Sequence, residues 1–415
     1  MSQTSSPCVV IVEAVSTAAM FSPRLKEQGF ETVHVSTDRP FAEGLANTYR
    51  AGDHVANIVF NGDMDACVAE VAKHRPLAVI PGHDPGVELA DALAERLGLP
   101  NNGTTLSVAR NKKFPMQEVL RNAGVRHMQS YSVESWTQLA ALFPEKLQLP
   151  VVIKPNASAA SDMVTLCRTM EELETTFGQI YGQENKLGVV NDCAIVQPFF
   201  DGIEYCVNTA SCAGRHVFTD LWRIDKVVGN SFVDDRAEIL PVDESTRHLR
   251  EYSEAVLDAM GIKFGAGYLS IIVDEQGPVL IEMAARTVGQ NPTLMTEATL
   301  GISQLAATLD AYINPTRFFE RGRSPYVMSK RGSLISLISP RAGTIEALPR
   351  WEEMSTLESF FSGHTGMKPG VHIEKTENLH TSPGYVNLVH EDPEVVERDY
   401  ATIRRWERDD FYVFA

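Results

Sequence analysis

The segment Gly267 to Gln290, GYLSIIVDEQGPVLIEMAARTVGQ, constrains this chain more than any other. Ser270 to Val273 is a run rich in β-branched residues, Asp274 to Pro278 is a turn cluster, and Val279 to Ile281 is a second apolar run closed by Glu282. The pattern predicts strand, turn, strand, loop. A carboxylate at the end of an apolar run is costly unless it is paired or holds a cation. Arg286 follows four residues later, close enough to serve the same pocket. A carboxylate for a metal and a guanidinium for a phosphate or oxyanion suit phosphoryl or acyl chemistry. The plainer alternative is a buried Glu282–Arg286 ion pair.

At 415 residues the chain has room for two or three domains with sizeable cores. Its formal charge is −17, with no run of Lys or Arg standing out. That balance argues against nucleic acid and anionic membrane surfaces as partners, and any phosphate ligand needs a local cationic pocket. No apolar run approaches the length of a membrane span. The opening MSQTSSPCVVIVEA lacks a basic n-region and a long apolar stretch, so no signal peptide is expected, and a cytoplasmic setting is the expectation. Six scattered cysteines without CxxC spacing predict reduced thiols in cores and no zinc site.

Strand and helix signals alternate over the first hundred residues. Strands are expected at Cys8–Val12, Thr32–Ser36 and Leu77–Ile80. Helices are expected at Thr17–Gln28 (stopped by Gly29), Val68–Lys73 and Pro85–Leu97 (stopped by Gly98). This alternation predicts a parallel α/β unit. The turn after the first strand, Glu13 to Thr17, has no glycine, which argues against a Rossmann dinucleotide site. Next come a helix at Lys113–Asn122 and strands at Val151–Lys154 and Met163–Cys167. A helix at Glu171–Tyr181 and a strand at Ala194–Phe199 complete a compact α+β insert. Glu204–Ala210 and Arg215–Asp225 read as antiparallel strands, Thr246–Met260 as a long helix, and Leu334–Ile338 and Gly384–Val389 as further strands.

Lys113 begins a helix and Lys154 ends an apolar strand, where a buried ammonium needs an anion. The loop after Lys154, Pro155 to Ser161, carries only small side chains beyond its proline and can bring backbone N–H groups against phosphate oxygens; a plain mobile turn is the alternative. In AIVQPFFDGIEYCV, Gln197 and the backbone from Pro198 to Phe200 suit an adenine edge. Phe199 or Phe200 suits its face, or ordinary core, and Glu204 suits ribose hydroxyls.

The order of these pieces resembles the ATP-grasp ligases over essentially the whole chain. ARNKKFPMQEVLRNAGV is similar to the family's first-lysine segment, with Lys113 favoured over Lys112. VVIKPNASAASDMV is similar to its second-lysine strand and phosphate loop, IVQPFFDGIEYCV to its adenosine hinge, and GPVLIEMAAR to its metal-binding strand. Within that superfamily, VVIVEAVSTAAMFSPRLKEQGFETVHV, IPGHDPGVELADALAERLGLPNN and IEMAARTVGQ resemble the L-amino-acid ligases, which make dipeptides and dipeptide antibiotics.

The resemblance implies an α/β and α+β fold of three lobes: a parallel α/β lobe over 1–113, a small lid lobe over 114–197 and an antiparallel-sheet catalytic lobe over 198–415. It implies an ATP-dependent ligase that joins a carboxylate to the amine of an amino acid through an acyl phosphate, releasing ADP and phosphate. Lys113, Lys154, Ser158, Ser161, Gln197, Pro198, Phe200 and Glu204 would hold ATP, and Glu282 would hold Mg²⁺ or Mn²⁺. Lys154 and Arg286 would be catalytic, and Arg286, Gly289 and Gln290 would meet substrate. The product would be a dipeptide-like amide of specialised metabolism, and the assembly a homodimer. Two departures stand out. Ser270 replaces the family's first metal-bridging Glu, and Ala284 replaces a metal-ligating Asn, which leaves Glu282 as the motif carboxylate. Asp220, Asp225 or Asp274 are the candidates to compensate. The departures also motivate an alternative, an ATP-binding pseudo-enzyme or regulatory subunit. A ligase for a non-amino-acid carboxylate is a third reading.

Overall fold

A computed structural model of the chain describes residues 6–41, 45–158, 162–186, 188–227, 230–289 and 292–415. Three lobes follow one another, the first two built on one sheet each and the third on two. In the first, β1 (Cys8–Val12), β2 (Glu31–Ser36), β3 (Ala56–Val59) and β4 (Pro76–Pro81) pair in parallel in the order β3-β2-β1-β4. Every residue of β1 is buried, as an inner parallel strand covered on both faces requires. Val10 and Val12 pack on Leu89 and Leu93 of α3 (Val87–Arg96), after α1 (Phe21–Glu27) and α2 (Met64–Ala72). Val9 and Ile11 pack on Phe21 and Leu25 of α1.

The single helix expected over Thr17–Gln28 is in fact a 3₁₀ turn, Ser16–Met20, followed by α1. Pro23 has no N–H to give and is tolerated only in a helix's first turn, so the α-helix has to begin beside it. A similar 3₁₀ turn, Asp84–Gly86, precedes α3.

α4 (Lys113–Asn122) leads into the second, smaller lobe, with β5 (Tyr131–Val133), α5 (Trp136–Ala140), β6 (Val151–Pro155), β7 (Thr165–Cys167), α6 (Met170–Ile180) and β8 (Ala194–Pro198). Its antiparallel sheet runs β5-β8-β6-β7. Leu173, Phe177 and Ile180 of α6 cover Val151, Ile153 and Val196, and a Thr169–Glu172 capping box starts the helix. The strand expected from Met163 begins only at Thr165, because Met163 holds φ at 55°.

The third lobe contains β9 (Ile203–Cys212), β10 (Arg215–Val227), β11 (Asn230–Leu240), α7 (Arg247–Ala259), β12 (Gly265–Asp274) and β13 (Gly277–Ala284). Then come α8 (Thr293–Leu300), α9 (Gln304–Ile313), α10 (Pro315–Arg321), β14 (Arg331–Ser336), β15 (Gly343–Ala347), β16 (Phe360–Thr365), β17 (His372–Ile373), β18 (Gly384–His390), α11 (Pro393–Asp409) and β19 (Val413–Phe414). The large sheet runs β13-β12-β9-β10-β11-β14-β18-β16, and a small one runs β17-β15-β19.

Alternation along the central strands sorts chemistry from core. Val207, Leu221, Leu269, Ile271 and Leu280 point one way, onto Leu249, Val256 and Leu257 of α7 and Met116 and Leu120 of α4. Each such buried side chain contributes about 1.5–3 kcal/mol. Their neighbours Cys206, Asn208, Trp222, Tyr268, Ser270 and Glu282 are left on the opposite face, facing a cavity. All six cysteines are free thiols. No helix among the described residues is long and apolar enough to cross a membrane.

Candidate active site

That open face, the β8–β9 hinge, the loop after β6 and the carboxyl ends of β1 and β4 enclose a cavity of about 1230 Å³. Sites for one small molecule typically span roughly 300–1,000 Å³, so this one has room for a nucleotide and further reactants.

Lys113 is placed by a cap that no local pattern reveals. The first N–H groups of α4 lack helical partners. Asn156, from the loop after β6, supplies them: its carbonyl accepts from Lys113 N at 3.0 Å and its Oδ1 from Phe114 N at 2.9 Å. The Lys113 ammonium, almost wholly buried, donates to the Ser158 carbonyl at 2.6 Å and meets Glu282 Oε2 at 2.8 Å. The helix-start lysine, the small-residue loop and the motif carboxylate therefore converge. Ser158 is tied down a second time, its Oγ donating to Asp162 Oδ2 at 2.8 Å.

Lys154 is only 3% exposed. No described residue hydrogen-bonds its ammonium. Burial, and then the Lys113 cation, lower its pKa to about 8 against the pull of Glu282 and Glu204. For Glu282 burial acts upward, but the Lys113 and Lys154 cations outweigh it and the carboxyl stays below its ordinary range. A bulge in β13, where Ser270 faces Glu282 and Ile271 faces Leu280, turns both Ile281 and Glu282 toward the cavity.

The hinge from Gln197 to Glu204 lines the same space. Phe199 and Phe200 are half-buried cavity walls, not core. Gln197 also faces the cavity, but its Nε2 donates to Ser130 Oγ at 2.6 Å, so that amide donor is already engaged. A Cβ on Gly202 would lie 2.5 Å from the Val273 carbonyl, so glycine is required for the hinge to approach β12 this closely. Glu204 accepts from Ser270 Oγ at 2.9 Å and meets Lys226 Nζ at 2.7 Å; Lys226 reaches Asp234 Oδ1 at 2.6 Å as well. Ser270 thus braces Glu204.

Glu282 and Arg286 do not pair with each other, which corrects the plainer reading of that segment. Arg286 is held by Asp84, at the carboxyl end of β4. Nε reaches Oδ1 at 3.0 Å and Nη2 reaches Oδ2 at 2.8 Å, while Nη1 donates to the Thr287 carbonyl at 2.9 Å. Described residues engage three of the five guanidinium N–H groups, which leaves two for a ligand. The Tyr268 ring lies 5.6 Å from the guanidinium carbon. Burial would raise the Asp84 pKa, but the Arg286 cation brings it down to about 2.

Gly289 lines the cavity. Its neighbour Val288 is fixed from two sides, accepting from Thr17 Oγ1 at 2.6 Å and donating to Gln304 Oε1 at 2.7 Å. Ser161 and Gln290 lie outside the described residues. The candidates for a second metal carboxylate are all committed elsewhere: Asp220 to Asn208, Thr219 and Trp222, Asp225 to Arg223 and Arg236, and Asp274 to Arg126. Among the described residues no group of three or more His, Cys, Asp or Glu is arranged to hold a metal.

Residues 147–294 match the family model described as the ATP-grasp domain. The matched stretch runs from β6 to the start of α8 and takes in the hinge and strands β9 to β13. Dapdiamide A synthase of Enterobacter agglomerans is 28% identical over 411 residues, 98% of this chain and 97% of that protein. The crystal structure of an L-amino acid ligase from Bacillus licheniformis superposes with a TM-score of 0.75 at 17% identity, covering 96% of this chain and 97% of that one. Biotin carboxylase from Campylobacter jejuni, solved as a β,γ-ATP complex, gives 0.61 at 12% identity with 97% of each chain covered. At such identities the two structures speak for the ATP-grasp fold alone.

Asp84, His83 and Lys226 went unnoticed in the sequence. The first two had a usable signal. His83-Asp84-Pro85-Gly86 is a turn cluster just past an apolar strand, and ligands of open parallel sheets gather outside the carboxyl ends of strands. Lys226 had none, because its partners Glu204 and Asp234 are set by strand register.

Proposed function

We propose that this protein is an ATP-dependent carboxylate–amine ligase in which Lys113 and Lys154 hold the ATP phosphates and Arg286 serves the transfer. The observation that carries this is the convergence of Lys113, Lys154, Glu282 and the Asp84-held Arg286 on one cavity. The carboxylate substrate attacks the γ-phosphorus of ATP, and ADP leaves. The amine of an amino acid then attacks the acyl phosphate, the C–N bond forms, the C–O bond to phosphate breaks, and phosphate departs with the electron pair. The protein's part is positioning and charge neutralisation. The two unengaged N–H groups of Arg286 stabilise the transferring phosphoryl group and the tetrahedral intermediate. Gln197, Pro198, Phe200 and Glu204 border the adenosine end, Ser158 and Ser161 belong to the phosphate loop, and Gly289 and Gln290 border the substrate.

Glu282 suits Mg²⁺, a hard cation that takes oxygen ligands and is commonly bound by one or two carboxylates plus substrate phosphates. With Ser270 bonded to Glu204, Glu282 is the carboxylate of this strand pair that would hold the ion. Bound there, the ion neutralises phosphate charge; Mn²⁺ has the same donor preference. The chain divides on this reading into 1–113, 114–197 and 198–415. A dipeptide-like product, a cytoplasmic setting and a homodimer complete it; the free cysteines favour a reducing compartment.

The test is phosphate release with ATP, Mg²⁺ and a matrix of carboxylic and amino acids, followed by product mass. Amine-dependent ADP release with an amide product is expected. Nucleotide binding without it would favour the pseudo-enzyme that Ser270 and Ala284 suggest.

A further inference from the structure

An amino group that attacks an acyl phosphate must shed a proton, and the carboxylates and lysines gathered around Arg286, Glu282 and Glu204 are poor acceptors for it. Asp84 gives both oxygens to Arg286, Glu282 is met by Lys113, and Glu204 and Asp234 share Lys226. Lys113 and Lys226 are tied to these carboxylates, and Lys154 faces the phosphates. One group remains. His83 lines the cavity next to Asp84, and no described residue hydrogen-bonds its ring. Gly82 places it: a Cβ there would lie 2.3 Å from the Glu13 carbonyl, so only glycine lets this turn close onto the end of β1.

We propose that His83 is the catalytic base that takes the proton from the attacking amino group. The step balances. The nitrogen lone pair forms the C–N bond, the N–H bonding pair returns to nitrogen as the proton moves to imidazole, and phosphate leaves with the C–O pair. The imidazolium formed lies beside the Asp84 carboxylate and later releases its proton to solvent. The charged groups facing His83 are Asp84 in its own turn, Arg286 across the cavity, and Glu13 and Arg39 across a smaller adjoining pocket. Burial foremost, and Arg286 as well, keep the ring neutral at rest against the opposing pull of Asp84. A base has to begin in that state.

The inference rests on the ligase reading, and hydroxylamine separates the two. It is uncharged at neutral pH and attacks acyl phosphates without needing a base. Wild-type and His83→Gln protein are given ATP, Mg²⁺ and a panel of L-amino acids, N-acyl amino acids and small dicarboxylic acids, with either hydroxylamine or an amino acid as nucleophile. The expectation is a fall of about 10²-fold in amino-acid-dependent turnover for His83→Gln, with hydroxamate formation retained. His83→Ala with added imidazole is the second arm, and partial recovery of the amino-acid rate is expected. Equal turnover with amino acids in wild type and His83→Gln overturns the inference alone. So does an equal fall with both nucleophiles and no recovery by imidazole. A wild type that forms no hydroxamate overturns the ligase reading and this inference together.

Discussion

The two ends of the cavity are built differently. At the phosphate end, Lys113 comes from the start of α4, Lys154 from β6 and Ser158 from the loop after β6, and each is announced by a local pattern. At the transfer end, Arg286 takes its orientation from Asp84, 202 residues earlier and in a different lobe. The first end is a set of cations near one carboxylate, one of them without a described partner. The second is a closed ion pair with little freedom. A free cation adapts to a ligand and governs affinity, whereas a clamped one holds geometry and governs chemistry. The comparison therefore predicts which kinetic parameter each end controls.

Arg286→Lys should give the largest effect. Lysine keeps the charge and loses the planar fork, so the pairing to Asp84 and the two remaining donors cannot both be reproduced. We expect kcat to fall by about 10²–10³-fold with ATP affinity and fold intact. A fully active lysine variant would reduce Arg286 to a structural partner of Asp84 and erase the contrast between the ends. Lys154→Ala should show the opposite profile. ATP affinity should weaken by about 1.5–3 kcal/mol, the usual worth of a hydrogen bond to a charged group, as read by calorimetry. Unchanged affinity would remove Lys154 from the site.

How much of each end is legible in sequence follows from the same contrast. Strand-end Lys154, helix-start Lys113, Gly202-x-Glu204 and Glu282-x-x-x-Arg286 are short-range spacings, so they can be read from neighbours in the chain. The expected strands were also found, apart from a few ends shifted by local backbone conformation, such as Met163. Pairing across lobes is different. Sequence spacing brought Glu282 and Arg286 together, whereas the fold gives each a separate partner, Lys113 and Asp84. Ser270 was legible as a departure, but its role as a brace for Glu204 depends on the register of β12 against β9.

Asp84→Asn tests the clamp through stability. The folded carboxyl is held at about 2, below the ordinary 3.8. A depressed carboxyl stabilises the fold above its unfolded pKa, and that stability is lost as pH falls through the folded value. The contribution is about 2 kcal/mol. Wild type should therefore lose stability between about pH 4 and pH 2 more steeply than Asp84→Asn, measured by urea unfolding across that window. Parallel acid limbs would mean that the ion pair forms no tighter than an exposed one.

The Lys154 end should carry a pH signature of its own. Lys154 is lowered to about 8 in the empty cavity. Phosphates arriving beside it favour the ammonium and restore its proton, so ATP binding takes up a proton above that value. Affinity should fall by up to about tenfold per pH unit above about pH 8, roughly 1.4 kcal/mol per unit. Calorimetry in buffers of different ionisation enthalpy counts the proton directly. Lys154→Arg, always charged, should flatten the dependence.

The smallest effect belongs to Ser270, and it separates a brace from a metal ligand. Its hydroxyl donates to one oxygen of Glu204, while Lys226 holds the other at 2.7 Å. Removing the hydroxyl leaves Glu204 anchored on one side, so Ser270→Ala should weaken ATP binding by about 0.5–1.5 kcal/mol, the net worth of one hydrogen bond. The Mg²⁺ concentration for half-maximal turnover should stay where it is, because the hydroxyl is spent on Glu204. Glu282→Gln should shift that concentration strongly, since it removes the carboxylate that Lys113 meets in the empty site. A Ser270→Ala protein with altered Mg²⁺ dependence and unaltered ATP affinity would reverse the assignment. It would make the β12 hydroxyl a metal ligand and leave the phosphate end with a second anchor for the ion.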